Sequence, residues 1–241
     1  LDPTARKPCA PKLSAGDPAM DQKVRDVMER QLAQMVRLVD DLMDVNRISR
    51  GKLELRRERL PPAAAVEQAV EVCRPLLQQH GHRLRVDLPD LPALRWGDPV
   101  RLAQIFGNLL TNACKCTPAA GEIALSAALA GPQVRVSIKD NGAGIPADQL
   151  EHIFEMFTQA GKTLERAQGG LGIGLMLVRQ LVQMHGGTVL ARSDGLGKGS
   201  EFTVLLPLGG PPQAPVRRAS ACAFVGKGDC TRKALQLAAR H

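Results

Sequence analysis

Four glycines stand within the seven residues GGLGIGL, 169–175, directly ahead of the helical pattern MLVRQLVQMHGG. Glycine at that density before a helix lets main-chain N–H groups turn toward an anion at the helix N-terminus. The stretch therefore restricts the chain to folds that bring backbone close to phosphate. Two familiar versions are excluded by neighbouring residues. A dinucleotide fingerprint beginning at Gly170 requires glycine at position 175, where Leu175 stands. The GKT at 161–163 resembles the end of a phosphate loop, but Met156 occupies the place of that loop's first glycine.

Two further elements carry the same polar chemistry. In NLLTNACK, Asn108, Asn112 and Lys115 recur at i, i+4 and i+7 of a helix expected from Asp98 to about Lys115, so they share one face. Val100, Ile105, Leu109 and Leu110 are expected to point inward from it. Two amides and an ammonium beside that apolar set imply that something polar meets them. In DNGAGIP a strand ends at Asp140, and Gly142 and Gly144 let the backbone turn hard past a ligand.

The periodicity around these elements fixes an organisation. Residues 21–48 lack proline and glycine, and Val24, Met28, Met35, Leu38, Leu42 and Val45 recur at helical spacing with Leu32 and Val39 beside them. This is one amphipathic helix of roughly 40 Å, whose stripe requires a helical partner in this chain or another. SRGKLELRRERLPP then reads as a connector, 63–79 as a helix and HRLRVDLP as a strand. EIALSAALA and QVRVSIKD alternate as strands about a turn at Gly131-Pro132. A helix over 172–185 and the strands TVLARS and SEFTVLLP complete an α+β chain, a two-layer sandwich of helices on antiparallel strands.

Bulk properties exclude other classes. The net charge of +8 raises a nucleic-acid reading, but the basic residues are scattered, Trp96 is the only tryptophan and tyrosine is absent, so no stacking platform is expected. Cys114 and Cys116 form C-x-C with no second pair nearby, against a zinc or disulfide framework and for a reduced, cytoplasmic setting. Cys116 is expected to pack, without redox chemistry. No apolar run reaches the roughly 20 residues of a membrane span, and no signal segment is recognisable at the start.

Taken in order, NLLTNACKCT (108–117), DNGAGI (140–145), IFEMF (153–157), GGLGIGL (169–175) and GLGKGSEF (195–202) resemble the boxes of the ATP-binding catalytic domain of sensor histidine kinases. These kinases belong to a superfamily shared with type II topoisomerases, Hsp90 and MutL. RQLAQMVRLVDDLMDVNRISRGKLEL resembles the second helix of the kinases' dimerisation and phosphotransfer hairpin. The resemblance implies a Bergerat-type fold with ATP and magnesium as cofactors. It divides the chain into an irregular 1–19, a dimerisation-like helix and connector at 20–57, a catalytic domain at 58–208, and a linker and tail at 209–241 with no assigned role. By resemblance, Asn112 holds magnesium, Asn108 supports that face and Lys115 neutralises phosphate charge. Asp140 accepts from the adenine amino group, and Gly142 and Gly144 let the base lie against backbone. Phe154 and Phe157 anchor a lid, TQAGKTLERAQG, while Gly170, Leu171, Gly172, Gly174 and Leu175 form the phosphate turn.

Kinases of this type pass the γ-phosphoryl group to a histidine in an H-E/D-L-R-N/T-P sequence. Here PTARKPCAP, 3–11, puts Pro3 where that histidine would be and Thr4 where the acid would be. None of the five histidines replaces it: His152 shows no orienting acid in sequence, and His185 reads as a helix C-terminal cap. No acceptor is recognisable, and phosphorylation of a partner's histidine is expected in place of self-phosphorylation. The expected partners are a second copy or another kinase through the 21–48 helix, and an aspartate-bearing response regulator. Two alternatives remain: a regulatory ATP-binding module paired with a true kinase, and a DNA-repair or chaperone-type ATPase. The last asks for an acid where Asn108 stands.

Overall fold

The computed structural model describes residues 18–155 and 172–209, all within one unit, Leu1–Pro211. In chain order the elements are α1 (Pro18–Ser49), β1 (Glu58–Leu60), α2 (Pro62–Gln79), β2 (Arg83–Asp87), β3 (Leu94–Gly97) and α3 (Pro99–Cys116). These are followed by β4 (Glu122–Ala130), β5 (Gln133–Asp140), α4 (Gly174–Met184), β6 (Thr188–Arg192) and β7 (Ser200–Pro207).

Alternation builds the sheet. Ile123, Leu125 and Ala127 of β4, Val134, Val136 and Ile138 of β5, and Phe202, Val204 and Leu206 of β7 are all buried, with more exposed residues between most of them. Paired in the order β2-β4-β5-β7-β6, the strands present one apolar face, and α2, α3 and α4 supply the second layer. The β4–β5 hairpin turns at Gly131-Pro132 with Ala130 opposite Gln133, as its turn residues require. The expectation of an all-antiparallel set needs correction at one edge, because β2 runs parallel to β4. The long connection through α3 returns the chain in the same direction, which a hairpin cannot do.

The connector is also more structured than its composition implies. Within it, β1 pairs antiparallel with β3, setting Leu60 opposite Leu94, both buried. Neither strand is expected from the sequence, since three or four residues with an arginine among them carry no readable alternation. β2 ends at Asp87 and α4 runs only from 174 to 184, each shorter than the sequence pattern.

Asp98 caps α3, its Oδ1 accepting from Arg101 N at 3.1 Å, and Pro99 occupies the first turn, where its missing N–H costs nothing. Leu102, Ile105, Phe106, Leu109, Leu110 and Ala113 bury one face. Val100, expected inward, is 65% exposed. It lies two residues before Leu102, a 200° rotation that turns it to the opposite side of the helix.

The last turns of α1 are docked. Val45 is buried and Ile48 packs on the core, while both guanidinium arms of Arg101 donate to Asp44, one at 3.1 Å. Gln104 Nε2 donates to Asp44 Oδ2 at 3.1 Å. Farther back, Val24, Met28, Leu32, Met35, Val39 and Leu42 stand exposed. Among the described residues no helix is long and apolar enough to cross a membrane.

Candidate nucleotide site

The second glycine of the DNGAGI turn is positioned by its neighbours. Gly144 has φ +70°, and a Cβ there would lie 2.0 Å from the carbonyl oxygen of Gly195. Only glycine fits, because the 193–200 loop packs directly on this turn: Gly197 N donates to Ala143 O at 2.7 Å and Gly199 N to Gly142 O at 3.1 Å. Ser193 joins them, its Oγ accepting from Ile145 N at 2.9 Å and donating to Gly199 O at 2.7 Å.

Asp140 ends β5 with its carboxylate 3% exposed. Oδ1 accepts from Gly142 N at 2.8 Å and Oδ2 from Ser200 Oγ at 2.6 Å. A buried carboxylate held by two donors keeps spare lone pairs in a fixed direction, suited to accept from an amino group. A Cβ at Gly142 would meet the Cys116 carbonyl oxygen at 2.3 Å, while Ala143 N donates to that same oxygen at 2.9 Å. The end of α3 and the aspartate turn are thereby joined by backbone. Cys116 itself is exposed, contrary to the packing role expected of its side chain; its contribution here is the carbonyl. Cys114 is buried, which pushes its thiol up to about 12, with Cys73 nearby adding to the shift.

Asn108 and Asn112 are half-buried on α3 and Lys115 is exposed near its end. The side-chain amide nitrogen of Asn108 is buried and has no hydrogen-bond partner among the described residues. It lies 3.9 Å from where a Cβ on Gly174 would be, so the amide face of α3 meets the first residue of α4. Gly172, with φ +72°, and Leu175 flank that junction. Phe154 is buried and packs edge-on against Phe202 with centroids 6.3 Å apart, a core contact near the Asp140–Ser200 pair. Phe157, Gly170 and Leu171 lie outside the described residues, as does the expected lid.

Sequence reasoning named the carboxylate but missed what orients it. Ser200 and Ser193 sit in the box 195–202 or just before it, and only the pairing of β5 with β7, Asp140 opposite Ser200, brings the hydroxyl to the acid. The histidines need one correction. Glu155 Oε1 stands 3.1 Å from His152 Nδ1, an orienting acid supplied by the i+3 spacing of a turn. It raises the imidazole pKa above the usual range. His80 and His82 stack at 5.4 Å, with His82 Nε2 against the Cys114 carbonyl at 3.0 Å. His185 does cap α4, and it is buried with both ring nitrogens engaged. His241 is outside the described residues.

The layered fold, whose amide-bearing helix α3 touches the aspartate turn at its end and the glycine-led helix α4 along its face, defines a class: a two-layer α/β domain. Residues 97–210 match the family described as "Histidine kinase-, DNA gyrase B-, and HSP90-like ATPase". The chain is 33% identical over 192 residues to the circadian input-output histidine kinase CikA of Thermosynechococcus vestitus, covering 78% of this chain and 26% of that protein. It is 37% identical over 174 residues to the sensor protein DivL of Caulobacter vibrioides, covering 72% of this chain and 22% of the relative. Among solved structures, full-length ShkA in complex with AMPPNP superposes with a TM-score of 0.64 at 30% identity, over 78% of this chain and 39% of that one. The chain thus spans about a quarter of the length of these two curated relatives.

Proposed function

We propose that this chain is the ATP-binding catalytic part of a sensor histidine kinase acting in two-component signalling, with magnesium accompanying the nucleotide. The observation that carries the nucleotide site is the buried amide nitrogen of Asn108 beside Gly174, which has no partner among the described residues. A buried donor left without an acceptor is costly, and an anionic phosphate oxygen at the head of α4 would satisfy it. Asn112, one turn further along α3, offers a hard oxygen of the kind magnesium takes, and Lys115 a charge for the phosphates. Asp140 would accept from the adenine amino group, with Gly142 and Gly144 letting the base approach the backbone. Gly170, Leu171, Gly172, Gly174 and Leu175 would wrap the phosphates, and Phe154 and Phe157 would anchor a lid. Magnesium, when bound, would supply neutralisation of phosphate charge, while this chain's residues would bind and orient the nucleotide.

The exposed apolar stripe of α1 supports assembly of this helix with another, in a homodimer or with a second kinase. With no recognisable acceptor in PTARKPCAP, the transferred phosphoryl group would go to a partner's histidine and from there to a response regulator, in the cytoplasm. Incubation with labelled ATP and a histidine kinase whose own ATP site is disabled tests this. Label on the partner's histidine is the expected result. ATP binding without transfer would contradict the kinase assignment and favour a regulatory module.

A further inference from the structure

At the ends of α3 and α4 opposite the candidate site, one residue gathers three other segments. Asp98 Oδ1 accepts from Arg101 N at 3.1 Å and caps α3; Oδ2 accepts from Arg56 N of the connector at 2.8 Å. Its own backbone N–H donates to His185 Nε2 at 3.1 Å, and His185 Nδ1 donates to the Leu181 carbonyl of α4 at 2.8 Å. Both side chains are buried, Asp98 5% and His185 3% exposed. The two bonds fix the imidazole as the neutral tautomer with its proton on Nδ1. The ionisable groups acting on His185 are Asp98 and Arg57.

The helices are antiparallel here: Asp98 begins α3 where α4 ends at His185, and Asn108 meets Gly174 where α4 begins. α4 has 11 residues, a rod of roughly 16 Å. A rod that short, pinned at one end, transmits a tilt to the other at comparable amplitude. We propose that Asp98 and His185 are positioning residues for the nucleotide: their bond holds α3 and α4 in the register that sets the Asn108–Gly174 gap. Through Arg56 N, the connector that follows α1 acts on that gap. The Asp44–Arg101 pair, three residues along α3, ties α1 to the same end of the helix. Neither Asp98 nor His185 touches the nucleotide. The inference rests on the assignment of Asn108 and Gly174 to the nucleotide face.

The test is calorimetric affinity of the full chain for AMPPNP with magnesium, with thermal unfolding measured in parallel. His185→Gln keeps an acceptor within reach of Asp98 N–H and should bind within about twofold of the parent. His185→Phe is of similar bulk without an acceptor and should lose about tenfold, following displacement of the far end of α4. Should that variant fail to fold, His185→Asn, which can still donate to Leu181 but is too short to reach Asp98, should show the same loss. A folded His185→Phe or His185→Asn with parental affinity overturns the positioning role. The parent and Asp140→Asn serve as references: no binding by the parent, or equal binding by Asp140→Asn, would instead overturn the nucleotide site itself.

Discussion

Ser200 Oγ donates to Asp140 Oδ2 at 2.6 Å, and both side chains are buried. The hydroxyl arrives from β7 and the carboxylate from β5, so the two are joined only by the sheet register that sets them opposite each other. A charge-assisted bond of this kind orients the acid as well as stabilising it.

Ser200→Ala should therefore weaken ATP binding about fivefold, which corresponds to roughly 1 kcal/mol for one lost hydrogen bond. Adenine selectivity over guanine should fall with it, because the freed carboxylate can rotate. Competition calorimetry with ATP and GTP checks this; unchanged affinity and selectivity would show that Asp140 needs no such support.

Gly144→Ala should destabilise the domain by about 2 kcal/mol or more, since φ of +70° and an oxygen at 2.0 Å both oppose a Cβ. For a chain of this size that lowers Tm by roughly 4–8 °C. Thermal unfolding with Tm unchanged would mean that the turn and the 193–200 loop are not packed as described.

Most of the sandwich was legible because its strands alternate and its helices repeat at three and four residues. DNGAGI and NLLTNACK also announced themselves, since amides and a carboxylate beside apolar residues need partners. What stayed hidden depends on segments distant in sequence. The β1–β3 pair exists because Leu60 and Leu94 bury each other's neighbourhood, and the parallel β2–β4 edge follows from a crossover that no local pattern encodes. Val100 misled because a single valine in a first turn carries no information about phase. His185 looked like a simple helix cap, and its bond to Asp98 N, 87 residues away, could not be read from MHGG.

The pH dependence of stability follows from that same histidine. Burial lowers the pKa of His185 below the ordinary imidazole value of 6.5. Between 6.5 and that lower value the unfolded chain holds the proton and the folded chain does not. Stability is then expected to be level above about pH 7 and to fall as pH drops below 6.5. Denaturant midpoints of the parent and His185→Gln across pH 5–8 check the sign: the parent should lose stability more steeply. Equal slopes would contradict a buried neutral imidazole.

The most direct measurement is titration calorimetry of the full chain with ATP and magnesium, for the parent and Asp140→Asn. One nucleotide per chain is expected, GTP should bind far more weakly, and Asp140→Asn should lose tenfold or more in affinity for ATP. Binding of ATP with the same affinity by both proteins, or no binding by the parent, would contradict the convergence of α3, the aspartate turn and the head of α4 on a single adenine nucleotide.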